Sequence, residues 1–419
     1  MSLVVQKFGG TSVADAERIR AVADHVARTR RHGHQVVVVV SAMGKETDDL
    51  LHLAGQVADR RSGREMDMLV TGGERKAMAL LAMALGDAGC PAASFTGSQA
   101  EIITDASHTR AKIREVRGDR LRAALAGGVV PVVGGAQGVS GEREVTFLGR
   151  GGSDTTAVAL AHALGAEACE LYTDVPGVFS ADPRLVPSAR RLGCLSYEEL
   201  LEMCASGCPK PDMRAVEYAR THGVRLHVRS SFTWEPGTWA VDADEVAKRR
   251  LETEHWEEGA MEQAIVTAVV HDTAEAKVTV THVPDRPGVA ARLVRLLADA
   301  GVNMDMIVQN VSLDGTTTDI SFTVPKADLA VSLATCRDHA AEVGAADVLA
   351  DADIAKVSLI GAGMKTHPGV AATAFETLAA AGINIEMIST SPIRISCVVR
   401  AGAVETAVES LHAAFELSP

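Results

Sequence analysis

A lysine, two glycines and two hydroxyl residues stand close together near the start of the chain, in the run Lys7-Phe8-Gly9-Gly10-Thr11-Ser12-Val13. The run follows the apolar residues Leu3-Val4-Val5, which predict a strand, so it predicts a turn from strand to helix. Glycines let a backbone approach a ligand closely, a helix N-terminus favours negative charge, and lysine supplies a mobile cation. These features are typical of a phosphate site, although a tight turn alone needs no ligand.

A second glycine-rich turn stands far downstream, in Gly149-Arg150-Gly151-Gly152-Ser153-Asp154, ahead of a helical run from Ala157 to Leu164. Arg150 can bind a carboxylate or a phosphate with two parallel hydrogen bonds. Asp154 can neutralise a lysine, hold Mg²⁺ through water, or cap the helix. Capping by Asp154 or Thr155 explains neither the arginine nor the glycines. Two such turns in one domain indicate nucleotide phosphoryl transfer.

Length, charge and composition exclude several classes of protein. A chain of 419 residues predicts two or three domains, and 47% apolar residues can build a large core. The net charge of −13 argues against a nucleic-acid partner. No apolar run is long enough for a membrane span, and the start lacks the features of a signal peptide. Seven cysteines without a CxxC pair are typical of reduced thiols in a cytoplasmic protein.

Strands and helices alternate through the first half of the chain, which predicts an α/β domain. In such a domain ligands bind beyond the carboxyl ends of the strands, and both glycine-rich turns fit that position. The predicted strands cover 36–40, 128–133, 169–173 and 225–228, and the predicted helices cover 15–31, 74–86, 119–126, 157–164 and 197–203.

An internal repeat occupies the C-terminal part. Arg286-Pro287-Gly288-Val289-Ala290-Ala291 recurs as His367-Pro368-Gly369-Val370-Ala371-Ala372, and Gly301-Val302-Asn303 recurs as Gly382-Ile383-Asn384. Each copy predicts a strand, a Pro-Gly loop, a helix, a loop with asparagine and another strand. The pair is either a duplicated scaffold or a pair of modules for a small ligand. A charged tract at 232–263 separates the repeat from the α/β domain and predicts a linker.

These motifs, in this order, resemble the aspartate kinase family, together with Tyr172-Thr173-Asp174-Val175 and Ala181-Asp182-Pro183-Arg184. The C-terminal copies, including Gln309-Asn310-Val311-Ser312, resemble ACT domains. The resemblance implies an amino-acid-kinase-like three-layer sandwich with a mainly parallel sheet, followed by two ferredoxin-like ACT regulatory domains. The implied boundaries are 1–231 for the catalytic domain, 232–263 for the linker, and 264–345 and 346–419 for the ACT domains.

The resemblance implies ATP- and Mg²⁺-dependent phosphorylation of the side-chain carboxylate of L-aspartate, at the start of lysine, threonine and methionine biosynthesis. By this resemblance Lys7 stabilises the transferring phosphoryl group, and Asp154 positions ATP with its metal. Arg150 binds the substrate α-carboxylate and Glu74 its ammonium group. The implied site residues are Ser41, Thr47, Glu74, Arg150, Gly151 and Ser153 for substrate, and Lys7, Gly9, Gly10, Thr173, Asp174, Phe179, Asp182, Arg184 and Lys210 for ATP.

The same resemblance implies feedback by lysine and/or threonine bound to the ACT domains. It also implies either a homo-oligomer or a hetero-oligomer with a small ACT subunit translated from an internal start near Met261. The implied effector-binding residues are Asp285, Gly288, Val289, Ala290, Asn303, Asp305, Gln309, Ser312, His367, Asn384 and Ile385.

Several residues depart from the usual family pattern. Pro209 stands where a lysine reaches ATP, and Lys210 follows one place later. Ala136 replaces a phenylalanine, Phe147 a small hydroxyl residue and Ala77 a serine near Glu74. These changes leave two alternatives to an ordinary aspartate kinase. One is an amino-acid-sensing protein with a degenerate kinase domain, and the other is an acyl-phosphate kinase for a related acidic amino acid in a specialised pathway.

Overall fold

The computed structural model describes residues 2–59, 63–253, 265–311, 315–362, 364 and 367–418. These residues form two compact units. The first unit comprises Met1–Val178, Arg191–Cys204 and Pro209–Glu257. The second comprises Phe179–Arg190, Ala205–Cys208 and Glu258–Pro419.

The first unit alternates strands and helices along the chain. A 3-10 helix spans Gly10–Val13. The other elements are β1 (Leu3–Phe8), α1 (Ala16–Arg31), β2 (Gln35–Val40), α2 (Glu46–Val57), α3 (Arg64–Asp87), β3 (Ala92–Phe95), β4 (Ile102–Thr104), β5 (Ile113–Val116), α4 (Asp119–Ala126), β6 (Val130–Gly134), β7 (Gln137–Ser140), β8 (Val145–Phe147), α5 (Gly152–Leu164), β9 (Ala168–Thr173), β10 (Cys194–Ser196), α6 (Tyr197–Ala205), α7 (Met213–His222), β11 (Leu226–Ser230), β12 (Thr238–Val241) and α8 (Ala243–Thr253).

The main sheet of the first unit has the strand order β10-β12-β11-β9-β1-β2-β6-β3. Only the β11–β12 pair is antiparallel, so the prediction of a mainly parallel sheet is confirmed. A second, four-stranded sheet has the order β5-β4-β7-β8.

The valines of β2 explain how helices come to cover both faces of the main sheet. Val36, Val38 and Val40 pack with buried residues of α1 and α3 in one core cluster. Side chains alternate along a strand, so Val37 and Val39, which are also fully buried, point to the other face. There α5 contacts β1, β2 and β9. The first unit therefore has three layers, with helices on both faces of the sheet.

The helix that carries Glu74 differs from the prediction. It was expected to begin at Glu74, but α3 begins at Arg64, so Glu74 lies in the middle of the helix. Gly72 and Gly73 weaken the local helix propensity. Burial of Met66 and Val70 on the same helix outweighs that weakness. A glutamate at the start of a helix can serve only to complement the helix dipole, but Glu74 lies too far from the start of α3 for that role.

The segment predicted as a linker, 232–263, contains β12 and α8. Strand β12 joins the main sheet between β10 and β11. Its Trp239 ring stacks on His227 at a centroid distance of 3.9 Å. The side chains of Arg225 and Arg249 lie over the same ring. Sheet pairing and aromatic packing therefore tie residues 238–249 to the first unit, although the charge of this tract suggested a linker.

The second unit contains two antiparallel four-stranded sheets, with the orders β15-β16-β14-β17 and β13-β18-β20-β19. The strand–helix pattern recurs in both copies, which confirms the repeat. The elements are β13 (Ile265–Asp272), β14 (Glu275–Pro284), α9 (Val289–Asp299), β15 (Asp305–Val311), β16 (Thr317–Pro325), α10 (Leu329–Asp338), α11 (Ala340–Val343), β17 (Asp347–Asp351), β18 (Ile354–Ala362), α12 (Pro368–Ala380), β19 (Met387–Ser391), β20 (Arg394–Arg400) and α13 (Val404–Ala414).

The described part of the chain contains neither a membrane-spanning helix nor a cluster of metal-ligating side chains. None of the helices there combines the length and the apolar character needed to cross a bilayer. None of the His, Cys, Asp and Glu residues described there form a group of three or more that could hold a metal ion. All seven cysteines lie in this part of the chain, and none of them forms a disulfide there.

Candidate active site

The candidate site lies at the carboxyl ends of β9, β1, β2 and β6, which are neighbours in the main sheet. Backbone hydrogen bonds hold the turns after these strands together. The Gly9 N–H donates to the Tyr172 carbonyl at 3.2 Å, and the Gly44 N–H donates to the Gly10 carbonyl at 3.0 Å. The Gly135 N–H donates to the Val40 carbonyl at 2.8 Å. Segments far apart in sequence are thus joined along one sheet edge.

Lys7 and Asp154 bring the two glycine-rich turns together. The Lys7 ammonium lies 2.6 Å from Asp154 Oδ1, and both side chains are buried. Burial alone raises the pKa of the Asp154 carboxyl, but the Lys7 ammonium, the Lys210 charge and the Asp212 N–H hold it below its usual value. An ammonium has three donors, and Asp154 is the one partner found for Lys7 within the described residues. Lys7 therefore keeps donors for a ligand.

Gly10 is required by a close approach of two loops. A Cβ atom at Gly10 would lie 2.8 Å from the Ala42 carbonyl oxygen and 2.9 Å from that of Gly44. No side chain fits there without moving backbone atoms. The first turn therefore packs directly on the loop that follows β2 and carries Ser41.

Glu74 enters the site from the middle of α3. Its side chain is buried, and its Oε2 atom has no hydrogen-bond partner in the described part of the chain. Burial raises the pKa of Glu74 to about 7, the Glu46 carboxylate adds to the rise, and backbone N–H groups at Glu74 itself and Ala42 oppose it. A buried acceptor without a partner suits a ligand that brings its own N–H groups.

Asp212 brings a second carboxylate to the turn that carries Asp154. A Cβ atom at Gly151 would lie only 1.9 Å from Asp212 Oδ2, so the carboxylate rests directly on Gly151. The Asp212 N–H donates to Asp154 Oδ2 at 3.2 Å. Burial and the Asp154 charge raise the pKa of Asp212, while the backbone N–H and charge of Arg214 and the N–H of Ala215 oppose the rise.

Both parts of the chain match known protein families. A model of the amino acid kinase family matches residues 2–230, and ACT domain models match residues 277–334 and 357–415. An aspartokinase from Mycolicibacterium smegmatis is 53% identical over 419 residues, which is 100% of this chain and 97% of that protein. The chain belongs to the aspartokinase family. An aspartokinase from Pseudomonas aeruginosa is 48% identical over 417 residues, covering 98% of that protein.

Solved structures agree with this membership. Aspartate kinase from Synechocystis is 44% identical, covers 100% of this chain and 70% of its own, and superposes with a TM-score of 0.54. The E. coli aspartokinase III complex with aspartate and ADP has a TM-score of 0.81 at 23% identity, covering 98% of this chain and 99% of its own, and so shows the shared fold. The predicted kinase fold and ACT regions are confirmed, and the chain is a kinase.

The other residues that the aspartokinase resemblance assigned to substrate differ in how close they lie to the Lys7–Asp154 pair. Ser41, Gly151 and Ser153 lie at the sheet edge, and Ser153 Oγ would lie 2.6 Å from a Cβ atom at Gly135. Thr47 lies on α2, half-buried. Arg150 is different, because its side chain is 93% exposed and its guanidinium lies 3.9 Å from the Asp48 carboxylate. Arg150 therefore does not touch the Lys7–Asp154 pair.

The proposed ATP residues belong partly to the first unit and partly to the second. Thr173 ends β9 and donates to the Asp174 carboxylate at 2.8 Å. Phe179, Asp182 and Arg184 belong to the second unit. There Arg184 Nη2 lies 2.6 Å from Asp182 Oδ2, so these two charges neutralise one another.

The residues that depart from the usual family pattern lie in different parts of the first unit. The charge of Lys210 acts on Asp154, so the shift of the lysine by one position leaves it within electrostatic range. Ala136 has a positive φ of 55° and packs against Gly152 at the start of α5. Ala77 is fully buried in the core between α1 and α3, where it offers no hydroxyl group. Phe147 ends β8, opposite Gln137 of β7.

Sequence reasoning missed Ser12 and Ser231 as positioning residues. Ser231 Oγ donates to Ser12 Oγ at 2.8 Å, and both residues are buried. The Ser231 N–H also donates to the Thr173 carbonyl at 2.9 Å. Ser231 thereby joins the first glycine-rich turn to the end of β9. Ser12 lies within the first motif, but nothing in the sequence pairs it with Ser231.

The proposed effector residues belong to the second unit. Asp285, Gly288, Asn303 and Asn384 at loop positions and Gln309 on β15 are exposed, whereas Val289, Ala290, Asp305, His367 and Ile385 are half-buried. Ser312 and Met261 lie outside the described residues.

Asp305 is already occupied by an internal cation. The Lys356 ammonium lies 2.8 Å from Asp305 Oδ2 and 2.7 Å from Glu275 Oε1. It also donates to the Ala205 carbonyl at 3.4 Å. In the other copy of the repeat, Lys277 forms an ion pair with Glu386. Each lysine therefore holds the acid that follows the asparagine loop of the opposite copy.

Proposed function

We propose that this aspartokinase transfers the γ-phosphoryl group of ATP to the side-chain carboxylate of L-aspartate, giving 4-phospho-L-aspartate. The buried Lys7–Asp154 pair carries the proposal, because it sets an ammonium with unused donors where the two glycine-rich turns meet. Phosphoryl transfer requires little beyond this, since its catalysis is mainly positioning and charge stabilisation. The attacking carboxylate is already ionised, so no general base is needed.

Each residue has a task in this proposal. Lys7 donates to the transferring phosphoryl group as negative charge develops on its oxygens. Asp154 holds the Lys7 ammonium in place. Glu74 accepts a hydrogen bond from the substrate ammonium group at its unpartnered Oε2 atom. Arg150 is exposed, and in this proposal it leaves Asp48 to bind the substrate α-carboxylate through two hydrogen bonds.

Mg²⁺ fits this site as the partner of the nucleotide. Asp154 is the residue that would interact with it, and carboxylate oxygens suit a hard cation. The oxygens of Asp154 already contact Lys7 and the Asp212 N–H, so an interaction through water suits the site. When bound, Mg²⁺ supplies positive charge to the phosphate oxygens.

Trapping of the acyl phosphate with hydroxylamine tests the proposal. The purified chain, incubated with ATP, Mg²⁺ and L-aspartate, should form aspartyl hydroxamate in proportion to enzyme. D-aspartate and succinate serve as controls, since each lacks one feature that the site recognises. Folded protein that forms no hydroxamate would contradict the proposal. If calorimetry also showed binding of lysine or threonine without binding of ATP, the amino-acid sensor with a degenerate kinase domain would be favoured.

A related acidic amino acid is the second candidate substrate. Ala136 favours it, because this buried residue packs against Gly152 at the site and offers no aromatic ring. The hydroxamate assay with a panel of acidic amino acids separates the two candidates. A kcat/KM for L-aspartate below that for another member would favour the second.

We further propose feedback by lysine and/or threonine at the ACT domains, a place in lysine, threonine and methionine biosynthesis, and the domain boundaries 231/232, 263/264 and 345/346. The ACT matches support regulation by a small ligand. The seven cysteines, none of which forms a disulfide within the described residues, support a cytoplasmic location. Inhibition of hydroxamate formation by each amino acid, alone and together, tests the choice of effector.

The subunit composition is a separate proposal, of a homo-oligomer or a hetero-oligomer with a small ACT subunit that begins near Met261. Expression of the untagged gene tests it. A second, smaller product that disappears in Met261→Leu would support the internal start, and a single product from both genes would contradict it.

A further inference from the structure

Asp212 belongs to two helix N-termini at once. Its side chain accepts a hydrogen bond from the Arg214 N–H at 3.1 Å and so caps α7. The same carboxylate rests on Gly151, which is the residue before α5. No side chain caps α5 itself. The Asp212 carboxylate therefore lies against the turn whose composition suits a bound anion.

Capping of α7 does not by itself explain a charged residue here. Asparagine and serine cap helices about as well as aspartate. The carboxylate adds negative charge beside Asp154, whose Oδ2 accepts the Asp212 N–H at 3.2 Å. The Asp154 and Asp212 carboxylates together offset the positive charges of Lys7 and Lys210, which act on Asp154.

We infer that Asp212 is an internal anion beside Gly151, and that its negative charge opposes the binding of a phosphate-bearing ligand at the adjoining Lys7–Asp154 pair. The inference rests on the proposed function, because that function places the phosphoryl group at Lys7, whose partner Asp154 accepts the Asp212 N–H. Asp212 is then a specificity-determining residue. It weakens the binding of free nucleotide anions, since repulsion between like charges is strong where water is partly excluded.

The test compares the affinity of the full chain for ADP without divalent cation, measured by isothermal titration calorimetry. Asp212→Asn keeps the cap and the shape of the side chain but removes the charge. Asp212→Ser keeps the cap and withdraws the side chain from Gly151. Asp242→Asn is the matched control, because Asp242 accepts a hydrogen bond from the Glu245 N–H at 2.9 Å, likewise at the start of a helix, away from this turn.

We expect both Asp212 variants to bind ADP about tenfold more tightly than the unchanged chain, with Asp242→Asn unchanged. Circular dichroism and the melting temperature show whether α7 keeps its cap. Equal or weaker binding by folded Asp212 variants overturns the inference, as does a failure of every form to bind ADP. Tighter binding without any hydroxamate formation supports the inference while contradicting the proposed aspartate kinase reaction.

Discussion

Two buried lysines, one in each unit, show how similar ion pairs can serve different ends. Lys356 is 0% exposed and contacts two carboxylates and a backbone carbonyl, so all three of its donors have partners. Lys7 is 6% exposed and has one carboxylate partner, beside glycines that leave space around it. A saturated ammonium stabilises a fold, whereas an unsaturated one is available to a ligand.

The surroundings of the two lysines carry the same difference. Lys356 lies inside β18, where its side chain reaches acids at the starts of β14 and β15. Lys7 lies near the end of β1, at the sheet edge where several turns converge. Burial alone therefore does not identify a catalytic residue. The number of unused donors and the position in the sheet distinguish a candidate catalytic lysine from a structural one.

Replacement of Lys7 should produce the largest effect on rate. In Lys7→Met we expect hydroxamate formation to fall about a thousandfold, because the transferring phosphoryl group loses a positioned donor. Lys112→Met, at an exposed position, is the control. Retention of more than about a tenth of the rate by Lys7→Met would break the comparison on the Lys7 side.

Replacement of Lys356 should act on stability instead. Lys356→Met leaves Glu275 and Asp305 without their cation, and we expect the free energy of unfolding to fall by about 3 kcal/mol. Asp305 is partly exposed, so water softens the loss. Urea unfolding measures it.

The triple change Lys356→Met, Glu275→Gln, Asp305→Asn provides the control for that experiment, and it should recover most of the lost stability. If Lys356→Met unfolds at the same urea concentration as the unchanged chain, Lys356 is no structural clamp.

Glu74 should give an intermediate, pH-dependent effect. Its pKa of about 7 means that the carboxyl is mostly protonated at pH 6 and mostly ionised at pH 8. A substrate ammonium requires the ionised form, so kcat/KM for aspartate should rise about tenfold between these pH values. Glu74→Gln should have a lower kcat/KM without this rise. An unchanged pH profile in Glu74→Gln would remove Glu74 from the site.

The smallest effect is expected at Ser231. Ser231→Ala removes the hydrogen bond to Ser12, which is worth about 1 kcal/mol. We expect KM for ATP to rise about fivefold with little change in KM for aspartate. Ser231→Thr keeps the hydroxyl group and should restore the value. Equal changes in both KM values would indicate a general loss of structure.

Local features of the structure were predictable from local sequence. Helix α1 starts after Asp15, whose side chain accepts from the Arg18 N–H, as a capping aspartate predicts. The C-terminal repeat gave both ACT helices, because its Pro-Gly signals mark helix starts directly. The start of α3 was not predictable, because burial against the sheet overrides the weak propensity of Gly72 and Gly73.

The sequence by itself determined the residue types at the two glycine-rich turns and their positions after strands, since a turn depends on a few adjacent residues. Only the tertiary structure decided that Lys7 meets Asp154, that Glu74 is buried with an unpaired oxygen, that Arg150 points to solvent, and that Asp212 rests on Gly151. Distances between residues remote in sequence, and the burial that shifts the pKa of a carboxyl group, arise from packing of the whole sheet and its helices.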